Sequence, residues 1–175
     1  DVLAARADHE QPLSPFTVVV EKQGALAAIP YSEAYRDDMT AVSRALADAA
    51  AAITSADEAA LKAYLEAASR AFLDDRWDLA DEAWSQMNAD NSRWYLRIAP
   101  DEVFSDPCGH KAGFQASFAR IDLDSLALQR RVDPFKGEME AALAALAGPV
   151  DVARDVRFQL PDFIDIVVNA GDART

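Results

Sequence analysis

Five acids crowd one short stretch of the chain: Asp74, Asp75, Asp78, Asp81 and Glu82. Asp78, Asp81 and Glu82 recur at three- and four-residue spacing, so on a helix their carboxylates share a face and could converge on a cation. The glycine and oxygen-ligand pattern of a calcium loop is missing. The stretch therefore reads as a solvated helix start, where the helix dipole favours negative charge. Cys108 stands two residues before His110, a pairing that can yield an activated thiolate. Neighbouring turn residues usually point apart, and no orienting acid accompanies this pair. No serine sits in a nucleophile elbow, and no glycine-rich phosphate loop is present. The only histidines are His9 and His110. His9-Glu10 runs straight into Gln11-Pro12, and proline breaks the helix that would have to hold two zinc ligands on one face.

The elements that must position these groups centre on residues 94–121. Trp94, Leu96 and Ile98 alternate with Tyr95 and Arg97, the two-residue period of a half-buried strand. Phe114, Ala116 and Phe118 alternate with Gln115 and Ser117 on the return. Asp106-Pro107 and Gly109 lie between, which predicts a tight polar turn. In this turn Asp106 is expected to cap, Gly109 to take positive φ and Lys111 to pair with an acid. Upstream, residues 16–21 and 25–30 read as a hairpin turned at Lys22-Gln23-Gly24. Ser32 is expected to cap a helix over residues 33–53 with Tyr35, Met39, Val42, Leu46 and Ile53 on its apolar stripe. Ser55 and Glu58 match a capping box for a second helix that buries Leu61, Tyr64, Leu65, Ala68 and Phe72. A third, over residues 78–87, is expected to set Leu79, Ala83 and Met87 on one side. Downstream, residues 121–132 read as a short helix or connection. Pro134 opens a helix through Leu146 with Phe135, Met139, Leu143 and Leu146 spaced by three and four, and Gly148-Pro149 ends it. Residues 155–160 and 163–169 read as strands, the second buried and paired with the central hairpin.

Composition narrows the function classes. At 175 residues with half of them apolar, the chain is long enough for a globular core. Its net charge of −13 repels phosphate backbones, which argues against nucleic-acid binding. No apolar run is long enough to span a membrane. The single cysteine leaves no intrachain disulfide and no sign of the compartment. A soluble protein, cytoplasmic or periplasmic, is expected. The chain begins at Asp1 rather than Met, which reads as a processed protein or an excised fragment.

Residues 102–115, EVFSDPCGHKAGFQ, resemble a segment of the dipeptidyl peptidase III family of zinc metallopeptidases, especially its shorter bacterial relatives. Two further stretches agree in order: residues 14–19 with 29–35 upstream, and residues 168–174 downstream. The resemblance implies a parent that is a zinc-dependent peptidase acting on peptides. It implies cleft positions at Tyr95, Arg97 and Glu102, where this family holds the peptide's N-terminal end. Asp106, Gly109 and Lys111 match the family pattern and are read as structural residues of the turn. Arg97 departs from the tyrosine expected there and would disfavour a cationic amine; Phe104 replaces another tyrosine, and Gln115 replaces a glutamate. The family's zinc helix lies further along the chain than the match to residues 168–174.

These observations predict an α+β fold, a helical layer packed on an antiparallel sheet. A flexible lead-in over residues 1–13 is expected before a single domain over residues 14–175. By resemblance this is the substrate-cleft part of a zinc-dependent hydrolase. It has no catalytic residue, metal ligand or cofactor of its own, zinc and the remaining catalytic region belong to the parent, and the chain alone is expected to be inactive. The alternative is a non-enzymatic protein–protein interaction domain.

Overall fold

In the computed structural model, residues 10–157 and 161–172 are described. The stretch expected as a lead-in ends in a helical turn, α1 (Glu10–Leu13), that buries Pro12. The valine-rich run that follows forms β1 (Thr17–Lys22), paired antiparallel with β2 (Ala25–Pro30) from Thr17↔Pro30 to Lys22↔Ala25. Gln23 and Gly24 both take positive φ, 55° and 78°, the geometry of a two-residue turn whose twist matches its strands.

Ser32 does not cap a long helix. Its backbone N–H and hydroxyl both donate to Asp75 Oδ2, at 3.0 and 2.6 Å. The chain instead makes a short turn, α2 (Tyr31–Ala34), breaks at Tyr35, and restarts as α3 (Arg36–Ala52). Met39, Ser43, Leu46 and Ala50 form the buried stripe of α3, while Tyr35 is exposed. Ser55 accepts from the Asp57 N–H and opens a 3₁₀ turn before α4 (Ala59–Asp74). The reciprocal half of the capping box is not made, because the Glu58 carboxylate accepts from the Ser92 hydroxyl and the Arg93 N–H. All five apolar residues expected on the buried face of α4 are buried. The Ser43 and Ser69 hydroxyls bond at 3.1 Å across α3 and α4. α5 (Trp77–Ser85) is rotated from expectation: it buries Trp77 and Ala80, and Leu79 is 45% exposed. Trp77 wins that face because its ring packs on Phe72 and Phe114, at 4.9 and 6.1 Å.

The second sheet has the order β3-β4-β5, with β3 (Trp94–Pro100), β4 (Phe114–Ile121) and β5 (Ile164–Gly171). β3 and β4 pair antiparallel from Trp94↔Arg120 to Pro100↔Phe114. Residues 101–113 join them, so the connection is a long loop rather than the tight turn expected. The fold is α+β, a helical layer on antiparallel sheets. β5 joins the sheet as expected, yet Ile166, Val167 and Val168 are at least half exposed instead of buried. An edge strand has a neighbour on one side only, and no described layer covers these side chains. Residues 158–160 of the other expected strand lie outside the described residues, and residues 151–157 are irregular.

Contacts divide the chain into two units, residues 1–120 with 166–175, and residues 121–165. In the second, Asp122 caps α6 (Leu123–Val132) by accepting from the Asp124 and Ser125 N–H groups. Pro134 lies in the 3₁₀ turn that leads into α7 (Lys136–Ala147), and Gly148 closes that helix at φ 69°. Phe135, Met139, Leu143 and Leu146 follow helical spacing but are all more than half exposed.

The first unit is anchored by Tyr64, which is fully buried. Its hydroxyl donates to the Ile98 carbonyl at 3.1 Å and accepts from the Ile98 N–H at 2.8 Å. Tyr64→Phe leaves both backbone groups without a partner and is expected to cost about 2–3 kcal/mol in urea denaturation. Burial pushes the Tyr64 phenol up to about 12 from 10.0. The folded chain keeps a proton that the unfolded chain releases above pH 10. Stability is therefore expected to fall as pH rises from 10 through 12, and Tyr64→Phe should remove that part of the loss.

Candidate functional site

The loop over residues 101–113 is tied at its base and carries exposed side chains beyond it. Asp106 accepts from the His110 and Lys111 N–H groups, at 2.8 and 3.2 Å. These backbone donors, His110 first, hold its carboxyl below the usual carboxylate range. Gly109 takes φ 68°. Among the described residues Lys111 pairs with no acid. Its ammonium donates to the Pro12 carbonyl, the Ser14 carbonyl and Thr17 Oγ1 at 2.6, 2.7 and 2.8 Å, filling all three N–H positions. Burial holds its pKa below the ordinary value against the opposing charge of Asp106. Ala112 is fixed from both sides, by its N–H to the Pro15 carbonyl and by Tyr31, whose hydroxyl donates to the Ala112 carbonyl at 3.0 Å. Along the loop, Glu102, Phe104 and Cys108 are exposed.

β5 ends against this loop. A Cβ on Gly113 would stand 1.7 Å from Asp172 Oδ2, and one on Gly171 would stand 2.0 Å from the Phe114 carbonyl oxygen. Only glycine permits either approach. Gly113 is paired in turn with the start of the loop: its carbonyl accepts from the Asp101 N–H, and its N–H donates to the Glu102 carbonyl at 2.9 Å. Ser105 Oγ lies 3.4 Å from Asp172 Oδ1. The Glu102 carbonyl and the Asp172 carboxylate thus both meet Gly113, with Ser105 Oγ beside Asp172. Asp172 Oδ2 and Asn169 Oδ1 are buried acceptors with no donor among the described residues.

Between Asn169 and Asp172, Ala170 and Gly171 line a pocket of about 340 Å³. Its other walls come from Tyr35 and α3 (Asp38, Met39, Val42), Phe72, Ile98 and the start of β4 (Phe114, Gln115, Ala116). The floor is apolar, and Asp38 and Gln115 are its polar side chains apart from the Tyr35 phenol.

Arg97, expected on an exposed strand face, is 8% exposed. Its guanidinium donates to Asp81 Oδ1 at 2.5 Å and Asp101 Oδ1 at 3.2 Å and lies over the Trp84 ring, 5.0 Å from its centroid. Burial alone would lower its pKa, but the two carboxylates outweigh that and hold it above the ordinary value. Tyr95 points its ring at the same Trp84, 6.1 Å away, and burial pushes its phenol up despite the nearby Arg97 charge. Tyr95 and Arg97 therefore meet α5, while Glu102 stands at the loop. Asp101 also accepts from Gln115 Nε2. Spacing in the sequence does not single out Asn169, Asp172 or Asp101; the unpaired Asn169 and Asp172 oxygens appear only once β5 is seated.

The acid-rich stretch does not converge. Asp75 receives Ser32, Asp78 pairs with Arg76, and Asp81 pairs with Arg97. Among the described residues no group of three or more His, Cys, Asp or Glu could hold a metal ion. The described residues thus do not fit the zinc that the resemblance implies for the parent. No described helix is long and apolar enough to cross a membrane.

Gly113→Ala forces Asp172 away and is expected to cost about 1–3 kcal/mol by overpacking. The loss should be local: amide exchange across residues 166–171 should accelerate while β1 and β2 stay protected.

No family model and no curated protein matches this chain. Solved structures do. The dipeptidyl peptidase III of Caldithrix abyssi is 29% identical with a TM-score of 0.78, over 97% of this chain and 31% of its own. The dipeptidyl peptidase III of Corallococcus sp. strain EGB shares the fold at 23% identity and a TM-score of 0.72, over 98% of this chain and 31% of its own. The chain is dipeptidyl peptidase III-like over nearly its whole length, as its sequence segments implied, and spans about a third of the length of those proteins.

Proposed function

We propose that the chain is the substrate-cleft portion of a dipeptidyl peptidase III-like hydrolase and receives the free amino end of a peptide. The observation that carries this reading is the pair of buried acceptors without donors, Asn169 Oδ1 and Asp172 Oδ2, flanking the pocket-lining Ala170 and Gly171. An ammonium offers three donors and a charge matched to Asp172, with the exposed Glu102 carboxylate on the same loop as a further acid for it. The apolar pocket beside them suits a side chain of the same peptide. Tyr95 and Arg97 serve this cleft indirectly, by holding the strand that delivers Asp101 and Glu102. Zinc and the groups that activate water belong, on this reading, to the remaining region of the parent, so the chain alone binds but does not hydrolyse.

A second reading, an interaction domain, is favoured by one observation. The exposed Ile166, Val167 and Val168 on β5 suit burial against further protein.

Titration of the chain with tetra-alanine and with its N-acetylated form separates the two readings. The free amine is expected to bind at least about tenfold tighter, as a charge-assisted hydrogen bond is worth about 1.5–3 kcal/mol. Binding should weaken as pH rises through the amine's own pKa near ~8. Glu102→Gln should narrow the gap between the two peptides. Equal binding of both would overturn the amine reading and leave the interaction domain in front.

A further inference from the structure

We propose that β5 takes a further strand along its outer edge, supplied by the remaining region of the parent and apolar at consecutive positions. This rests on the peptide-cleft reading and adds to it the segment that closes the sheet whose last strand carries Asn169.

The three-stranded sheet has two edges, and the chain treats them differently. At β3 the outward backbone groups of Ile98 are met by Tyr64. Beyond β5 no described strand follows. Ile166, Val167 and Val168 are 50, 58 and 53% exposed. Consecutive residues of a strand point to opposite faces, so Ile166 and Val168 share one face and Val167 lies on the other. Both faces are therefore open and apolar at the same point of the strand. Proteins blunt a strand edge that faces water with lysine or proline, which discourage pairing. The run Ile164–Gly171, IDIVVNAG, has neither, and Asp165 is its one charged residue. An edge of this composition is suited to being paired.

The exposure pattern selects the occupant. A helix laid on the sheet would cover one face and leave the other to water. A strand added to the edge extends the sheet, and its side chains then stand beside Ile166 and Val168 on one face and beside Val167 on the other. Such a strand must be apolar on both faces, a near-continuous hydrophobic run rather than an alternating one. Backbone pairing supplies the affinity, as in other strand additions. Length points to the source. This chain matches 31% of the Caldithrix abyssi protein over 97% of its own length, so most of a protein of that kind lies outside the match. A second copy is the less suited occupant, because it would bring together two chains of net charge −13.

Residue-level deuterium exchange on the chain alone, and on the protein that carries it as the source cell makes it, tests this. In the chain alone, amides over residues 166–170 are expected to alternate, slow where they face β4 and fast where they face outward. In the longer protein the outward amides are expected to slow by at least about tenfold, the protection of one backbone hydrogen bond. Val167→Lys blunts the edge. It should leave the chain alone folded, since Val167 is already exposed, and should restore fast outward amides in the longer protein. A source product no longer than this chain, or outward amides equally fast in both proteins, would overturn the proposal. So would outward amides that are already slow in the chain alone and grow slower with its concentration, which would give the edge to a second copy. The amine titration is independent of this readout. Fast outward amides with a retained free-amine preference sink the added strand alone, and slow ones with equal peptide binding sink the amine reading alone.

Discussion

One buried phenol joins the helical layer to the sheet. β3 is an edge strand, so alternate residues turn a backbone N–H and C=O away from β4, toward the helices. Such a pair, buried without partners, costs more than most single side-chain contacts return. Tyr64 resolves it at Ile98 by donating and accepting through one oxygen. A phenol does this well because its ring fills the interior while its hydroxyl serves both roles. The contact sets the height of β3 against α4, and with it the start of β4. There Phe114 stacks on Phe72 and lies against Trp77 and Tyr31. The pocket is what remains between α3, α4 and that aromatic group.

Two cations then hold the loop over residues 101–113. Desolvating an ammonium or a guanidinium costs several kcal/mol, and only a full set of acceptors offsets it. Lys111 finds three neutral oxygens on the chain around α1 and β1. Arg97 finds two carboxylates. The difference suits their places. A compact ammonium can gather scattered carbonyls, whereas the planar fork of arginine spans two separate acids. Together they fix both ends of the loop and leave Glu102 and Phe104 at the surface.

Local pattern made much of this legible. Alternation located β3 and β4, Gln23-Gly24 marked the hairpin turn, and three- and four-residue spacing found α4 with its buried face intact. The failures share a cause. Ser32 has the composition of a helix cap, but Asp75, 43 residues on, competes for the same hydroxyl. Arg97 sits on what alternation calls a polar face, because periodicity cannot tell solvent from a helix that supplies Asp81. Lys111 looks like the partner of an acid, and only the path of residues 12–17 shows that carbonyls are nearer. The stripe on α7 and the apolar run of β5 are periodic and yet exposed. Periodicity reports which side is apolar, not whether anything lies against it.

The stretches over residues 102–115 and 168–172 lie far apart in sequence, yet each is shaped around the other. Gly113 lacks a side chain where Asp172 sits, and Gly171 lacks one where the Phe114 carbonyl sits. Neither close approach survives without the other, so the two glycines act as one constraint written twice. The likeness to a solved dipeptidyl peptidase III reaches nearly the whole chain, although the described residues hold no metal-ligand set. The segments whose sequence resembles that family are those that seat a strand end against a loop, and seating that strand leaves Asn169 Oδ1 and Asp172 Oδ2 without a donor among the described residues. These two oxygens stand in sequence on either side of the pocket-lining Ala170 and Gly171. On the proposed reading, the peptide's amino group brings the donors they lack.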